Sequence, residues 1–251
     1  MNFSIPYIVF SILFVSLQHL TTVNRLNSWR SLIYIYKQPI EYLWFLYALF
    51  FVFVFIGLIN IMRIPFHTQL VLCIILFVLV QLIDLPYFIY SAFSWLPCFY
   101  VGIIIGKNIN ILNSYVVFAV SLIITVLGLA VRIYLGGMWF RNNDMLLNTA
   151  IFKIGSIFLM FFLFYHFRNN KFFNYFEKYG KYSIIIYLVH LPFSSFFKIV
   201  LLRIGISNYF LFLFLLIFLS CSASIFICYL SGKMNVVNFF FHPDKYLKIS
   251  E

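Results

Sequence analysis

Charged side chains are scarce in this chain, and acidic ones are the scarcest. Only 9% of the 251 residues are Asp, Glu, Lys or Arg, and six of them are acidic. Soluble globular domains are about one quarter charged, so this composition excludes that class. The hydrophobic fraction is 65% and is carried in long, unbroken apolar runs. The chain is therefore predicted to be an integral membrane protein.

The apolar runs also indicate which kind of membrane protein this is. Only helices and closed barrels satisfy the backbone in lipid, and the runs lack the alternation of barrel strands. We predict an all-α, polytopic transmembrane helix bundle that forms a single membrane domain over residues 1–251. About eight spans are expected, at residues 3–20, 43–62, 69–85, 93–106, 111–134, 148–167, 182–203 and 207–230.

Motifs that hold metals, nucleotides or cofactors are missing from the sequence. The four cysteines lie inside apolar runs without CxxC spacing, so neither a zinc site nor a disulfide framework is indicated. There is no phosphate-binding loop, no GxGxxG after a strand, no HExxH and no GxSxG. We therefore expect no metal, and any site must be built from polar groups in the spans.

Basic residues outnumber acidic ones, and the formal net charge is +11. Because the Lys and Arg residues stand between apolar runs, they are expected to orient the spans and contact membrane lipids rather than nucleic acid. The most basic loop, residues 168–181, carries four basic residues and one acidic residue. The positive-inside rule places this loop in the cytoplasm and, with an even number of spans, both termini as well.

One predicted span carries a stripe of polar side chains. Ser183, Tyr187, His190 and Ser194 follow one another at steps of four, three and four, which places them on one helix face. An ionisable side chain is costly in lipid and marks a candidate functional site. His190 is the candidate catalytic residue, as a base that takes a proton from an attacking hydroxyl. The alternative, which the residues alone favour, is a structural hydrogen bond between helices.

Four residues are candidates for substrate binding: Ser183, Tyr187, Trp44 and Asp84. For Ser183 and Tyr187 the alternative is a hydrogen bond between helices. Trp44 opens the second span and could instead be an aromatic anchor at the membrane surface. Asp84 stands beside Pro86, which favours a helix end at the interface. Three further polar residues are lesser candidates: Gln81, Lys153 and His166.

Glycine and proline mark two places where helix packing should be unusual. Gly102 and Gly106 stand four residues apart in the fourth span and predict close packing of helices. Pro192 lies inside the seventh span and is expected to bend or re-pack it.

The region around the polar stripe also resembles a known motif. Residues 176–190, Phe-Glu-Lys-Tyr-Gly-Lys-Tyr-Ser-Ile-Ile-Ile-Tyr-Leu-Val-His, are similar to a late motif of the acyltransferase 3 family, bacterial membrane O-acyltransferases that acylate sugars. Further stretches agree in order: Ile-Pro-Tyr at 5–7, Leu-Trp-Phe-Leu at 43–46, Trp-Leu-Pro-Cys-Phe-Tyr-Val-Gly at 95–102 and Phe-His-Pro at 241–243. On these residues the chain is identified as a member of that family.

The resemblance implies an activity and its substrates. Acetyl-coenzyme A would be the acyl donor. The acceptor would be a sugar hydroxyl of a cell-surface or exported polysaccharide, or of its lipid-linked precursor. The protein would then lie in the bacterial cytoplasmic (inner) membrane. The alternative is a non-enzymatic partner or carrier for a lipid-linked sugar, in which Asp84 and His190 would line a passage.

The chain departs from the family pattern at its beginning. Members usually carry an arginine, followed at a fixed distance by a catalytic histidine, in a span before the proline-tyrosine stretch. No arginine here has a histidine eleven residues later; Arg30 leads to Glu41 and Arg132 to Asn143. We therefore expect a shortened form that needs two earlier spans for complete activity. In that form His190 would orient helices or line the acyl-transfer cavity.

Overall fold

The computed structural model of the chain describes residues 4–20, 27–134, 145–180 and 182–241. Every regular element in these ranges is helical, so the all-α prediction is confirmed. Five helices are long and apolar enough to cross a membrane: Glu41–Ile61, Tyr87–Lys107, Thr149–His166, Ser183–Arg203 and Tyr209–Lys233. Three apolar helices are shorter: Ile5–His19, Phe66–Leu82 and Tyr115–Val131. The protein is a multi-pass helical membrane protein.

The described residues form ten α-helices and three short 3-10 helices. The α-helices are α1 Ser4–Leu20, α2 Trp44–Ile61, α3 Phe66–Leu82, α4 Tyr87–Lys107, α5 Tyr115–Tyr134, α6 Leu147–His166, α7 Lys171–Gly180, α8 Ser183–Arg203, α9 Tyr209–Lys233 and α10 Asn235–Phe241. The 3-10 helices are Trp29–Tyr34, Glu41–Leu43 and Ile109–Asn113.

The predicted spans correspond to α1–α6, α8 and α9, with one clear shift at α4. This helix begins at Tyr87 rather than at residue 93, because Pro86 stands at its N-cap and Pro97 is accommodated inside it. Helices α7 and α10 were not predicted because they are short and are not continuous apolar runs. Lys181 of the basic loop and residues 242–243 of the closing motif lie outside the described residues.

The chain divides into two compact units, and the divisions fall within α2 and α7. The first unit contains Met1–Tyr47 and Phe176–Glu251, and the second contains Ala48–Tyr175. The single membrane domain stays a prediction.

The core of the first unit is built around α8. It joins side chains of α1, the turn Glu41–Leu43, the start of α2, α8, α9 and α10. Its buried members are Phe10, Tyr42, Leu43, Leu46, Ile185, Leu188, Val189, Cys228 and Phe241. Because lipid is as apolar as these side chains, close packing and hydrogen bonds must hold the helices together.

Tyrosine hydroxyls hold the segment between α1 and α2 in place. Tyr7 Oη donates a hydrogen bond to Ile35 O over 2.7 Å, and Tyr47 Oη donates one to Tyr36 O over 2.7 Å. Both carbonyls follow the 3-10 helix Trp29–Tyr34, where regular backbone bonding stops. The two tyrosines therefore supply donors that the backbone does not.

In the second unit a polar chain joins α3 and α4. Tyr100 Oη donates to Gln69 Oε1 over 3.1 Å, and Gln69 Nε2 donates to Ile64 O over 2.8 Å. An apolar core from α2, α3 and α4 surrounds this chain and contains Val52, Cys73, Ala92, Leu96 and Tyr100. The buried amide is thus satisfied at both of its ends.

Two glycines bring α5 and α6 close together. A Cβ at Gly128 would lie 2.4 Å from Phe152 Cβ, and one at Gly155 would lie 2.9 Å from Ile124 Cγ2. Around Gly102 and Gly106, by contrast, no described atom would lie within 4 Å of such a Cβ. The close packing predicted at those two glycines is therefore not found in the described residues, and it occurs between α5 and α6 instead.

Gly128→Ala should lower the free energy of unfolding by about 1–3 kcal/mol, because the new methyl group overlaps a Cβ that is fixed to the backbone of α6. Gly102→Ala is the matched control in an open position, and it should be neutral or stabilise by up to about 1 kcal/mol through helix propensity. Unfolding in mixed detergent micelles measures both. Equal effects of the two substitutions would contradict the close α5–α6 approach.

Candidate functional site

The structure divides the polar stripe of α8 into three parts. Tyr187 and His190 are half-buried and lie next to each other, with ring centroids 5.8 Å apart. Ser194 Oγ donates to Ser220 Oγ of α9 over 3.1 Å. Ser183 is exposed at the first residue of α8. Tyr187 and His190, which lie side by side in a half-buried environment, are therefore the part of the stripe that could hold chemistry.

Tyr42 and Tyr187, the tyrosine pair, join α8 to the turn Glu41–Leu43. Tyr42 Oη donates to Leu188 O over 2.8 Å, and Tyr187 Oη donates to Tyr42 O. The partners are 146 and 145 positions apart in the sequence. Each tyrosine thus satisfies a carbonyl on the other segment, and the two bonds fix the register between the segments.

The need for the Tyr42 hydrogen bond comes from Pro192. In an α-helix the carbonyl of residue 188 accepts from the N–H of residue 192, and proline has no N–H. Pro192 lies inside α8, and Leu188 is 0% exposed. Since an unsatisfied carbonyl is costly in a membrane, the Tyr42 hydroxyl supplies the missing donor. The helix consequently continues through Pro192 and packs against the turn instead of ending.

His190 has a defined tautomer. Its Nδ1 lies 2.7 Å from Tyr187 O and 3.1 Å from Ile186 O. A carbonyl oxygen only accepts, so Nδ1 must carry a proton, and Nε2 of the neutral ring is then an acceptor. A ring held in this way can take a proton from a hydroxyl at Nε2, as a general base does.

Two other histidines show which part of this arrangement is unusual. His19 and His166 also place Nδ1 on a carbonyl one turn earlier in their helices. Both are exposed, and their rings lie against Trp29 at 4.7 Å and Phe162 at 4.0 Å. Among the histidines that the structure describes, only His190 is half-buried. Its position beside the tyrosine pair, and not the backbone bond, distinguishes it.

Trp44 and Asp84 lie in different units. Trp44 is half-buried at the first residue of α2, and its neighbour Phe45 packs edge-on against the Tyr187 ring at 5.2 Å. Asp84 is exposed in the connection between α3 and α4 of the second unit, as expected for a helix end. The substrate-binding roles remain predictions for all four residues: Ser183, Tyr187, Trp44 and Asp84.

The lesser candidates make structural contacts in the second unit. Gln81 Nε2 donates to Met145 O over 3.1 Å, and Lys153 Nζ lies 4.8 Å from the centre of the Trp95 ring. Among the described residues no group of three or more His, Cys, Asp or Glu side chains is placed to hold a metal ion. The candidate site is therefore organised by His190 and the tyrosine pair.

Comparison with known protein families assigns the chain to a family. The family model described as an acyltransferase domain matches residues 1–230. The chain belongs to the acyltransferase 3 family. No curated protein and no solved structure matches it. The family match covers both the turn Glu41–Leu43 and α8, so both segments of the candidate site lie inside the acyltransferase domain. The shortened form stays a prediction.

In this acyltransferase 3 protein both hydroxyls of the tyrosine pair already donate structural hydrogen bonds. Both donate to backbone carbonyls, so neither can stabilise an oxyanion without breaking the connection between α8 and the turn.

Tyr42 was missed as a site residue in the sequence. Pro192 predicts an unpaired carbonyl at Leu188, but no local pattern indicates which distant hydroxyl will bond to it.

Removing the Tyr42 hydroxyl should have an effect that depends on Pro192. Tyr42→Phe leaves Leu188 O without its donor and should lower the free energy of unfolding by about 1–2 kcal/mol. In a Pro192→Ala background the new N–H of residue 192 can bond to Leu188 O, so the same change should have less than half that effect. A double-mutant cycle in detergent micelles measures the difference. An equal effect in both backgrounds would contradict this role of Pro192.

Proposed function

We propose that this protein transfers an acetyl group from acetyl-coenzyme A to a sugar hydroxyl of a cell-surface or exported polysaccharide, or of its lipid-linked precursor. The observation that carries the proposal is the environment of His190. The side chain is half-buried in a membrane helix of an acyltransferase domain, and its Nδ1–H is held by backbone carbonyls. The nitrogen that remains can act as a base.

The proposed step balances without a further reactant. The sugar hydroxyl gives its proton to His190 Nε2 as its oxygen attacks the thioester carbonyl and a C–O bond forms. The C–S bond then breaks, and the departing sulfur of coenzyme A receives the proton from Nε2. The carbonyls of Ile186 and Tyr187 face Nδ1–H. They stabilise the imidazolium that exists after His190 takes the proton and before it passes the proton to the sulfur. The products are the O-acetyl sugar and the free thiol.

The tyrosine pair positions His190 in this proposal. The carbonyls that hold the imidazole belong to residues 186 and 187, and the next carbonyl, Leu188 O, accepts from Tyr42. A shift of α8 against the turn would therefore move the ring. Proximity and orientation supply much of the rate in acyl transfer, so a fixed ring favours the reaction.

The proposed location is the bacterial cytoplasmic membrane, with both termini in the cytoplasm. The basic loop at 168–181 supports this orientation through the positive-inside rule. It would allow acetyl-coenzyme A to be used from the cytoplasm.

Three genotypes test the activity: the intact gene, a deletion, and the deletion complemented with His190→Ala. Deletion should remove base-labile acetate from the purified surface glycan. His190→Ala should lower transfer by about 100-fold or more, because general base catalysis contributes about 10²–10⁴. His166→Ala is the matched control, since His166 makes the same type of backbone bond on an exposed helix end, and it should leave acetylation unchanged. Immunoblots establish equal amounts of protein.

Two results would contradict the proposal. Unchanged acetyl content after deletion excludes the transferase function. A His190→Gln protein that acetylates normally excludes the base, because the amide can donate to the same carbonyls but cannot take the proton. A lower amount of exported glycan, with normal acetylation of each sugar, would instead favour the carrier alternative.

A further inference from the structure

A groove with two lysines lies in the first unit, at the end of α9. Its volume is about 580 Å³, and its walls come from α7, the N-cap of α8 and the last turns of α9. The residues that define its character are Lys178, Tyr182, Ser222, Phe226, Tyr229 and Lys233. We call it the lysine groove. The candidate acyl-transfer site does not include any of these residues.

The charge of the lysine groove is positive. Lys178 and Lys233 line it, and no acidic side chain among the described residues does. Glu177 is exposed beside Lys178 in α7 but is not part of the lining. Lys233 Nζ lies 4.6 Å from the centre of the Tyr229 ring, which holds the ammonium group over the groove wall. The groove is thus suited to an anion.

The part of α9 that precedes Lys233 gives the groove an apolar, exposed wall. Phe226 is 58% exposed and Tyr229 is 56% exposed. Only 11% of the most apolar stretch of α9 is buried. Lys233 stands in the last turn of this helix, where the apolar stretch ends and lipid headgroups begin. A ligand here would meet Lys233 at the end of α9 and the aromatic side chains of Tyr229 and Phe226 one and two turns earlier in the helix.

We propose that the lysine groove binds an anionic phospholipid of the surrounding bilayer. Its phosphate would lie between Lys178 and Lys233, with an acyl chain along Phe226 and Tyr229. Basic pockets at the ends of membrane helices recognise headgroups in this way. A soluble phosphate compound would use the lysines but gain nothing from the exposed aromatic wall, so the combination of features favours a lipid.

This binding is separate from acyl transfer. Tyr182 and His190 are eight residues apart, which corresponds to about 12 Å along a helix. Lipid binding requires no acetyl donor, so the proposal does not rest on the proposed function. An experiment can therefore contradict lipid binding without contradicting acyl transfer, and the reverse.

The test is a binding titration of the full chain in detergent micelles. The probes are short-chain phosphatidylglycerol, short-chain phosphatidylcholine and coenzyme A. Phosphatidylglycerol should bind the native protein about 30-fold more tightly than it binds Lys178→Gln/Lys233→Gln, at about a tenfold change for each 1.4 kcal/mol and about 1 kcal/mol for each lysine. Phosphatidylcholine, which has no net charge, should show little difference between the two proteins.

Two further variants control for charge and folding. Lys171→Gln/Lys198→Gln removes the same charge from exposed positions outside the groove and should bind phosphatidylglycerol normally. Gly232→Leu should block binding without loss of charge. Within the part of the chain that the structure describes, a Cβ at Gly232 meets only Tyr182 Oη, at 4.0 Å, so the helix itself is not strained.

Three results would overturn the proposal. The first is equal binding of phosphatidylglycerol by the native protein and Lys178→Gln/Lys233→Gln. The second is normal binding by Gly232→Leu. The third is lysine-dependent binding of coenzyme A without any of phosphatidylglycerol, which would assign the groove to a soluble phosphate compound.

Discussion

In a lipid environment every backbone carbonyl needs a donor from within the protein, and Pro192 removes one donor from the middle of α8. The candidate site depends on how this deficit is met. Tyr42, which is distant in the sequence, donates a hydrogen bond to Leu188 O, and Tyr187 donates one to Tyr42 O. Tyrosine hydroxyls also satisfy carbonyls in the segment between α1 and α2, where Tyr7 donates to Ile35 O and Tyr47 donates to Tyr36 O. Tyrosine suits this use because its ring packs in an apolar core while its hydroxyl donates.

The connection between α8 and the turn also determines what His190 can do. Two carbonyls of α8 fix the proton on Nδ1, and the tyrosine rings lie beside the imidazole at 5.8 and 6.2 Å. The imidazole therefore has one nitrogen available for proton transfer. In the proposed transfer such a group would activate the acceptor hydroxyl, which is a poor nucleophile until it loses its proton. The proline that would weaken an isolated helix thus contributes to a site in which an imidazole is held in one orientation.

Much of this fold could be predicted from the sequence, because long apolar runs allow few structures in lipid. The helical class and the acyltransferase 3 family were predicted correctly, and each of the eight predicted spans coincides with an apolar helix, five of which are long enough to cross a membrane. The contacts between helices were less predictable. The steps of four, three and four from Ser183 to Ser194 indicate one face of α8, yet only tertiary contacts reveal that Ser194 meets α9 while Tyr187 meets the turn. Likewise, Gly102 and Gly106 have the spacing for close packing, but the helices that approach closely are α5 and α6 at Gly128 and Gly155.

The central claim is that the fold keeps the proton of the neutral His190 ring on Nδ1. Nitrogen NMR of the full chain with labelled histidine tests it most directly, with the His190 signals assigned by their loss in His190→Gln. The account predicts, for the neutral ring, a protonated Nδ1 and an unprotonated Nε2. In Tyr42→Phe this tautomer should become less uniform as α8 loosens against the turn. A neutral His190 with its proton on Nε2 would contradict the account, because its unprotonated nitrogen would then be Nδ1, which lies against the carbonyls of Ile186 and Tyr187.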